Sequence, residues 1–264
     1  TQLRHLILKY YGERRARPRR TGRRGCSQGD AVVWRTTKMR DMRPCERRRR
    51  HDRTVTAPLL SVVVPSYNAE AWLERCVDSL LVDGPETEII IVDDGSTDAT
   101  LALAQDLAER SSNVVVVHQE NKGHGGAVNT GIARATGTWL KVCDADDALD
   151  PLALRDLLAR LRQWDIDGTA PDLVVTNFVY VREGSEAWRN MGRRSRLLVA
   201  HRPRSKRAAH TVRFHGLIPE DRVGTWDDVC RFRADQYLMM HALLYRTEVL
   251  RASGTVLPEH CFYV

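Results

Sequence analysis

Between residues 58 and 180, short β-branched runs alternate with segments whose apolar residues recur at helical spacing. Leu59 to Val64 (LLSVVV), Thr87 to Val92 (TEIIIV), Asn113 to His118 (NVVVVH), Thr138 to Cys143 (TWLKVC) and Asp172 to Tyr180 read as strands. Between them, Glu70 to Leu81 carries Trp72, Leu73, Cys76, Val77, Leu80 and Leu81 on one helical face. A second helix should run to Arg110, with Thr97 or Asp98 as its N-cap. Gly125 to Ala135 reads as a third, and Pro151 sits at the first turn of a fourth, reaching about Trp164. Strands alternating with helices predict an α/β fold: a Rossmann-like, mostly parallel sheet with helices on both faces.

That topology constrains where chemistry happens. Right-handed crossovers bring the carboxyl ends of parallel strands to one edge, where such sheets bind ligands. Four polar clusters follow four of the strands: Pro65–Asn68, Asp93–Asp98, His118–His124 and Asp144–Asp147. They are expected to form one site.

Asp144, Asp146 and Asp147 crowd like charges at a strand end. Their hard oxygens suit Mg²⁺ or Mn²⁺, ions that bind one or two carboxylates together with substrate phosphates. Asp150 fits a plainer role at the N-terminus of the following helix. Asp93 or Asp94 could accept hydrogen bonds from a base imide or a ribose hydroxyl, with Gly95 permitting the turn. Lys122 and the glycines from Gly123 to Gly126 precede a helix whose free N–H groups favour anions. The segment matches neither GxGxxG nor GxxxxGK[ST], which excludes the usual dinucleotide and P-loop signatures. His124 reads as a loop histidine with no chemistry.

Together, Ser61–Asn68, Ile90–Asp98, Asn121-x-Gly123, Asn129–Ile132, Ala135–Gly137 and Asp144–Asp147 resemble the successive motifs of family 2 glycosyltransferases. The resemblance covers about residues 58–152. It implies a GT-A fold, with a nucleotide-sugar-binding α/β half at 58–180 and an acceptor-binding half, incomplete here, at 181–264. It also implies a nucleoside-diphosphate sugar donor, with a UDP-sugar expected, a divalent metal and inversion at the anomeric carbon. Pro65 and Tyr67 should then lie against the nucleoside and Asp94 should bind the base, with Ser66, Asp93, Lys122, Gly125 and Asn129 the remaining substrate-binding residues. Asp144, Asp146 and Asp147 should hold the metal. Many relatives carry Arg where Val128 stands. Leu257–Val264 resembles the stretch that immediately precedes the catalytic base, so the base is expected just after Val264, and the chain reads as truncated. Asp227, Asp228 and Glu259 are weaker substitutes.

Eighteen of the 41 Lys and Arg residues fall within residues 1–57, against five acidic residues, so the basicity belongs to a tail expected to lack regular structure. Such a tail suggests anion or nucleic-acid binding as a rival function, though no aromatic interleaving supports nucleic-acid recognition. A nucleotide-sugar-binding fragment without turnover and a nucleotidyltransferase are the other rivals. The six cysteines form no CxxC pair, which argues against a zinc ribbon or disulfide framework and suits a reducing cytosol. No apolar run approaches about 18 residues, so a cytoplasmic protein is expected, with any attachment to the inner face of the membrane either peripheral or supplied by sequence outside this chain. The acceptor is expected to be a hydroxyl of a glycan or a lipid-linked glycan.

Overall fold

The computed structural model describes residues 32–35, 57–82, 84, 86–181, 209–212, 214, 223–225, 228 and 238–261. Six elements follow one another as read: β2 (Leu60–Ser66), α1 (Leu73–Leu80), β3 (Thr87–Asp93), α2 (Thr100–Arg110), β4 (Val114–His118) and α3 (Gly123–Arg134). Then come β5 (Trp139–Val142), α4 (Pro151–Asp167), β6 (Leu173–Val175) and β7 (Phe178–Val181). Preceding them is β1 (Val32–Arg35); following them are β8 (Ala209–Val212), β9 (Val223–Thr225), β10 (Leu243–Arg246) and α5 (Thr247–Ala252). The main sheet has eight strands in the order β4-β3-β2-β5-β10-β6-β1-β9, while β7 and β8 pair separately.

β4, β3, β2 and β5 are mutually parallel, as the βαβ pattern requires. Alternate residues of each strand feed two cores. Val62, Val64, Ile89, Ile91 and Trp139 pack with Leu73, Val77 and Leu80 of α1, Leu107 of α2 and Leu157, Leu161 and Trp164 of α4. Val63, Ile90, Val92, Leu140 and Val142 pack with Ala127 and Val128 of α3. The sheet is therefore covered on both faces. α3 lies close to β2: a Cβ on Gly131 would stand 2.1 Å from Val63 Cγ1.

The structure corrects the sequence reading at five places. Val32–Arg35 lies inside the tail expected to be unstructured, yet it pairs antiparallel with β6 and parallel with β9. Val-Val-Trp is a run of strong strand formers, too short to register against its basic flanks. The strand expected over Asp172–Tyr180 splits into β6 and β7, in different sheets. Between them Thr176 donates through both its N–H and hydroxyl to the Ala242 carbonyl, at 2.8 Å each, and Asn177 Oδ1 accepts from Phe214 N at 3.1 Å. Polar side chains thus replace the ladder. β10 enters the sheet between β5 and β6, antiparallel to both, so the stretch assigned to a separate acceptor half supplies a central strand of the first. α3 begins at Gly123 rather than Gly125, because Asp94 Oδ1 accepts from Lys122 N (2.9 Å) and Asn121 Oδ1 from Gly123 N (3.1 Å). The cap of α2 is Ala99 by position, although Asp98 Oδ1 accepts from Thr100 N at 2.9 Å.

Candidate functional site

Because β2, β3, β4 and β5 are parallel, their carboxyl ends share one edge, and the loops beyond them are linked. Asp94 N donates to the Ser66 carbonyl (2.9 Å), and Asn68 Oδ1 accepts from Thr97 N (2.8 Å), tying the tip of β2 to that of β3. Pro65 and Ser66 are buried there, while Tyr67 is 53% exposed and presents its ring at the surface.

Asp93 and Asp94 diverge. Asp93 is fully buried and its Oδ2 pairs with Nδ1 of His118, its register partner on β4, at 2.7 Å. Asp94 turns the other way: its Oδ1 accepts from Gln119 Nε2 at 2.6 Å and from Lys122 N at 2.9 Å. Asp94 therefore fixes the start of α3 against β3, and this makes the approach of His124 to the acidic loop a property of the fold.

His124 Nε2 lies 2.9 Å from Asp144 Oδ1. The hydrogen bond to Asp144 raises the imidazole above its ordinary value, partial burial opposes this, and the charges of Asp144, Asp94 and Asp146 add to the rise. One imidazole thus senses carboxylates from two strand tips, and the acidic loops of β3 and β5 share a site.

The Asp144–Asp147 loop closes as a turn, with Asp147 N donating to the Asp144 carbonyl at 2.9 Å. Asp147 is fully buried, and neither of its carboxyl oxygens has a hydrogen-bond partner among the described residues. Burial holds this carboxyl well above the usual range; Asp144, Cys143 and Asp146 push the same way, and Lys141 opposes. Lys141, also fully buried, donates from Nζ to the His241 carbonyl. Burial lowers its ammonium to about 8 against the pull of Cys143, Asp147 and Asp144.

One ligand atom from each of Asp144, Asp147 and His241 falls within 4.8 Å of the others. This set differs from the expected Asp144, Asp146 and Asp147: His241 enters it, and Asp146 is recorded instead through its carbonyl, which accepts from Arg75 at 3.2 Å, and through its charge on His124. Two carboxylates and an imidazole suit Mn²⁺, and the orphaned oxygens of Asp147 are what a cation would satisfy.

Other expected residues lie differently. The Asn129 side-chain amide exchanges two hydrogen bonds with the backbone of Leu257. Gly125 lies under Pro258. Lys122 Nζ stands 4.0 Å from Glu259, an exposed carboxylate, and Asp228 is exposed. Asp227 and the position after Val264 lie outside the described residues. Lys141, His124 and His241 were not read as site residues. For Lys141 the sequence held a signal: a lysine between Leu140 and Val142, in a strand read as buried on both sides. His241 had none, since its partners are about a hundred residues away. No helix among the described residues is long and apolar enough to cross a membrane.

The sequence profile described as Glycosyl transferase family 2 matches residues 61–218. The chain is 40% identical over 111 residues to the uncharacterized glycosyltransferase EpsJ of Bacillus subtilis, covering 42% of this chain and 32% of that protein. It is 36% identical over 129 residues to a chondroitin synthase of Escherichia coli, covering 48% and 18%. Among solved structures, S. aureus TarS in complex with UDP-GlcNAc shares 30% identity at a TM-score of 0.38, over 40% of this chain and 32% of that one. The matched region thus spans about a third or less of these relatives.

Proposed function

Since the chain belongs to glycosyl transferase family 2, we propose that its strand-edge site binds a nucleoside-diphosphate sugar, with a UDP-sugar as donor, and passes the sugar to a hydroxyl of a glycan or lipid-linked glycan with inversion. The observation that carries this reading is the buried, unpartnered carboxyl of Asp147 beside Asp144 and His241, in a loop that also meets α3 through His124. Asp144, Asp147 and His241 would hold a divalent ion, Mn²⁺ or Mg²⁺, which when bound supplies positive charge toward a diphosphate.

The chain's own residues do the rest. Tyr67, exposed at the tip of β2, offers a flat apolar face to the nucleobase, and the buried Pro65 and Ser66 fix it there. Asp93 and Asp94 set the relative positions of β3, β4 and α3, and Asp94, whose Oδ1 is committed to both Gln119 and Lys122, offers its Oδ2 to the base. His124 and Lys122 add positive charge at the diphosphate end. In transfer, the acceptor oxygen attacks the anomeric carbon as the bond to the diphosphate oxygen breaks. The hydroxyl proton passes to a carboxylate, and the diphosphate leaves with the electron pair. Glu259, whose carboxylate stands 4.0 Å from Lys122 Nζ, is the candidate base within this chain.

Isothermal titration with UDP, with and without Mn²⁺, tests the reading. We expect heat only when the ion is present, and its loss in Asp144→Ala. Equal, negligible heat in both conditions would refute it.

A further inference from the structure

Segment Thr247–His260 grips α3 at both ends. At the C-terminal end, the Arg251 guanidinium donates to the carbonyls of Ile132, Ala133 and Ala135 at 2.6 to 3.1 Å, satisfying groups that the helix leaves open. At the N-terminal end, Leu257–His260 lies across the first turn. Asn129 Nδ2 donates to the Leu257 carbonyl at 2.8 Å, Leu257 N donates back to Asn129 Oδ1 at 3.0 Å, and His260 N donates to the Lys122 carbonyl at 2.9 Å.

The glycines of this turn have a use that follows from the contact. A Cβ on Gly125 would meet the Pro258 carbonyl oxygen at 2.3 Å, and one on Gly123 would meet His260 N at 2.8 Å. Both approaches are to backbone, which cannot swing aside. Gly123 also sits at φ +75°, a conformation that side-chain-bearing residues rarely take. A turn kept open for a soluble anion would not need clearance against its own chain at these two positions.

We propose that Gly123–Asn129 is a receptor for the chain's own Leu257–His260 segment, and that Asn129 is the positioning residue that anchors it. The segment then forms a fixed wall of the strand-edge site and carries Glu259 to within 4.0 Å of Lys122, two residues from His124. A side-chain amide that pairs with both the N–H and the C=O of one residue imitates a strand neighbour. It fixes the direction of the segment as well as its distance. The proposal rests on the family reading for the wall's catalytic meaning, but its geometry stands without that reading.

Hydrogen exchange measured by mass spectrometry on the whole chain, paired with UDP–Mn²⁺ titration, separates the two. Asn129→Ala should speed exchange at Leu257 and His260 by about tenfold or more, since two hydrogen bonds are lost. Peptides from β2 and β3 should keep their protection, and UDP–Mn²⁺ affinity should stay within about twofold, the small change expected where no donor contact is lost. Asn129→Asp keeps the acceptor for Leu257 N–H and should restore part of the protection. Unchanged exchange at 257–260 in Asn129→Ala overturns the proposal. Lost UDP affinity with intact protection overturns it as well, because Asn129 would then be a donor contact. Global unfolding of both variants also counts against it, since an anchor for an exposed segment should not hold the sheet. If the wild-type chain binds no UDP, the function proposed above fails, while the exchange data still decide the role of Asn129.

Discussion

Replacing Asp147 by Asn should change how stability depends on pH. The folded carboxyl is held well above its reference value of 3.8, chiefly by burial. A raised folded value means that the stabilising contribution is complete below the unfolded value and is lost as pH rises toward the folded one. In that window each pH unit removes up to about 1.4 kcal/mol for one proton. From pH 5 to 7 the wild type should therefore lose up to about 2.7 kcal/mol relative to Asp147→Asn. At about 2–4 °C per kcal/mol for a domain of this size, the melting temperatures should converge or cross by roughly 5–10 °C. The Asn amide would be equally unpartnered, so a constant offset is expected and only the slope is diagnostic. Lys141 does not confuse the window: its ammonium is lowered from 10.5 to about 8, so its unfolded state binds more protons only above that value, where it makes stability rise with pH. The assay is thermal melting of both proteins with a chelator at pH 5, 6 and 7, repeated with Mn²⁺. The ion should lift the wild type most at pH 7 and leave Asp147→Asn nearly unchanged. A flat difference across that range, or one of opposite slope, would refute the assignment of Asp147 as a buried, uncompensated acid.

Gly131→Ala would set a methyl 2.1 Å from Val63 Cγ1 and 2.8 Å from Cγ2 in the middle of the second core, and should destabilise by about 1–3 kcal/mol despite alanine's better helix propensity. In a Val63→Ala background most of that cost should vanish, which a double-mutant cycle by chemical denaturation would measure. His124, raised by its hydrogen bond to Asp144, contributes most to stability when protonated, and that contribution is lost as pH rises through its raised value. The imidazolium also competes with a cation for Asp144, so Mn²⁺ affinity should climb over the same range and His124→Asn should flatten the dependence, as read by calorimetry.

What could be read from the sequence depended on whether a residue's partners were local. β2 and β3 announce themselves because burial on both faces favours apolar residues, and Pro65, Asp93 and Asp144 stand at strand ends because the apolar runs stop there. The shared edge followed from handedness alone. By contrast, β10 is four residues long, has no alternation, and takes its place only through neighbours about 70 and 100 positions earlier. The same distance hid the roles of Asn129 and His241: Asn129 carries the donor and acceptor for a backbone pair in any chain, and nothing near it in sequence says that Leu257 will supply the other half.

The distribution of charge around the acidic loop shows why it was legible as a site but not in detail. Two cations flank it. His124 approaches Asp144 from the start of α3, and Lys141 lies beneath in β5, on the same sheet face as Trp139 and Cys143. Neither donates a hydrogen bond to the Asp147 carboxyl. The Lys141 proton is directed to the His241 carbonyl and its ammonium is weakened by burial; His124 is committed to Asp144. Both carboxyl oxygens of Asp147 remain without a hydrogen-bond partner among the described residues, in a fully buried place. A buried carboxyl in that state costs the fold about 1–3 kcal/mol, or more when charged. A fold that needed only a strand-to-helix connection could discard the cost by placing an apolar residue there, as Ala145 and Ala148 already do on either side. The arrangement is economical only if something that binds the loop returns the energy, so the least comfortable residue in the structure is also the one that argues most directly for a cationic ligand.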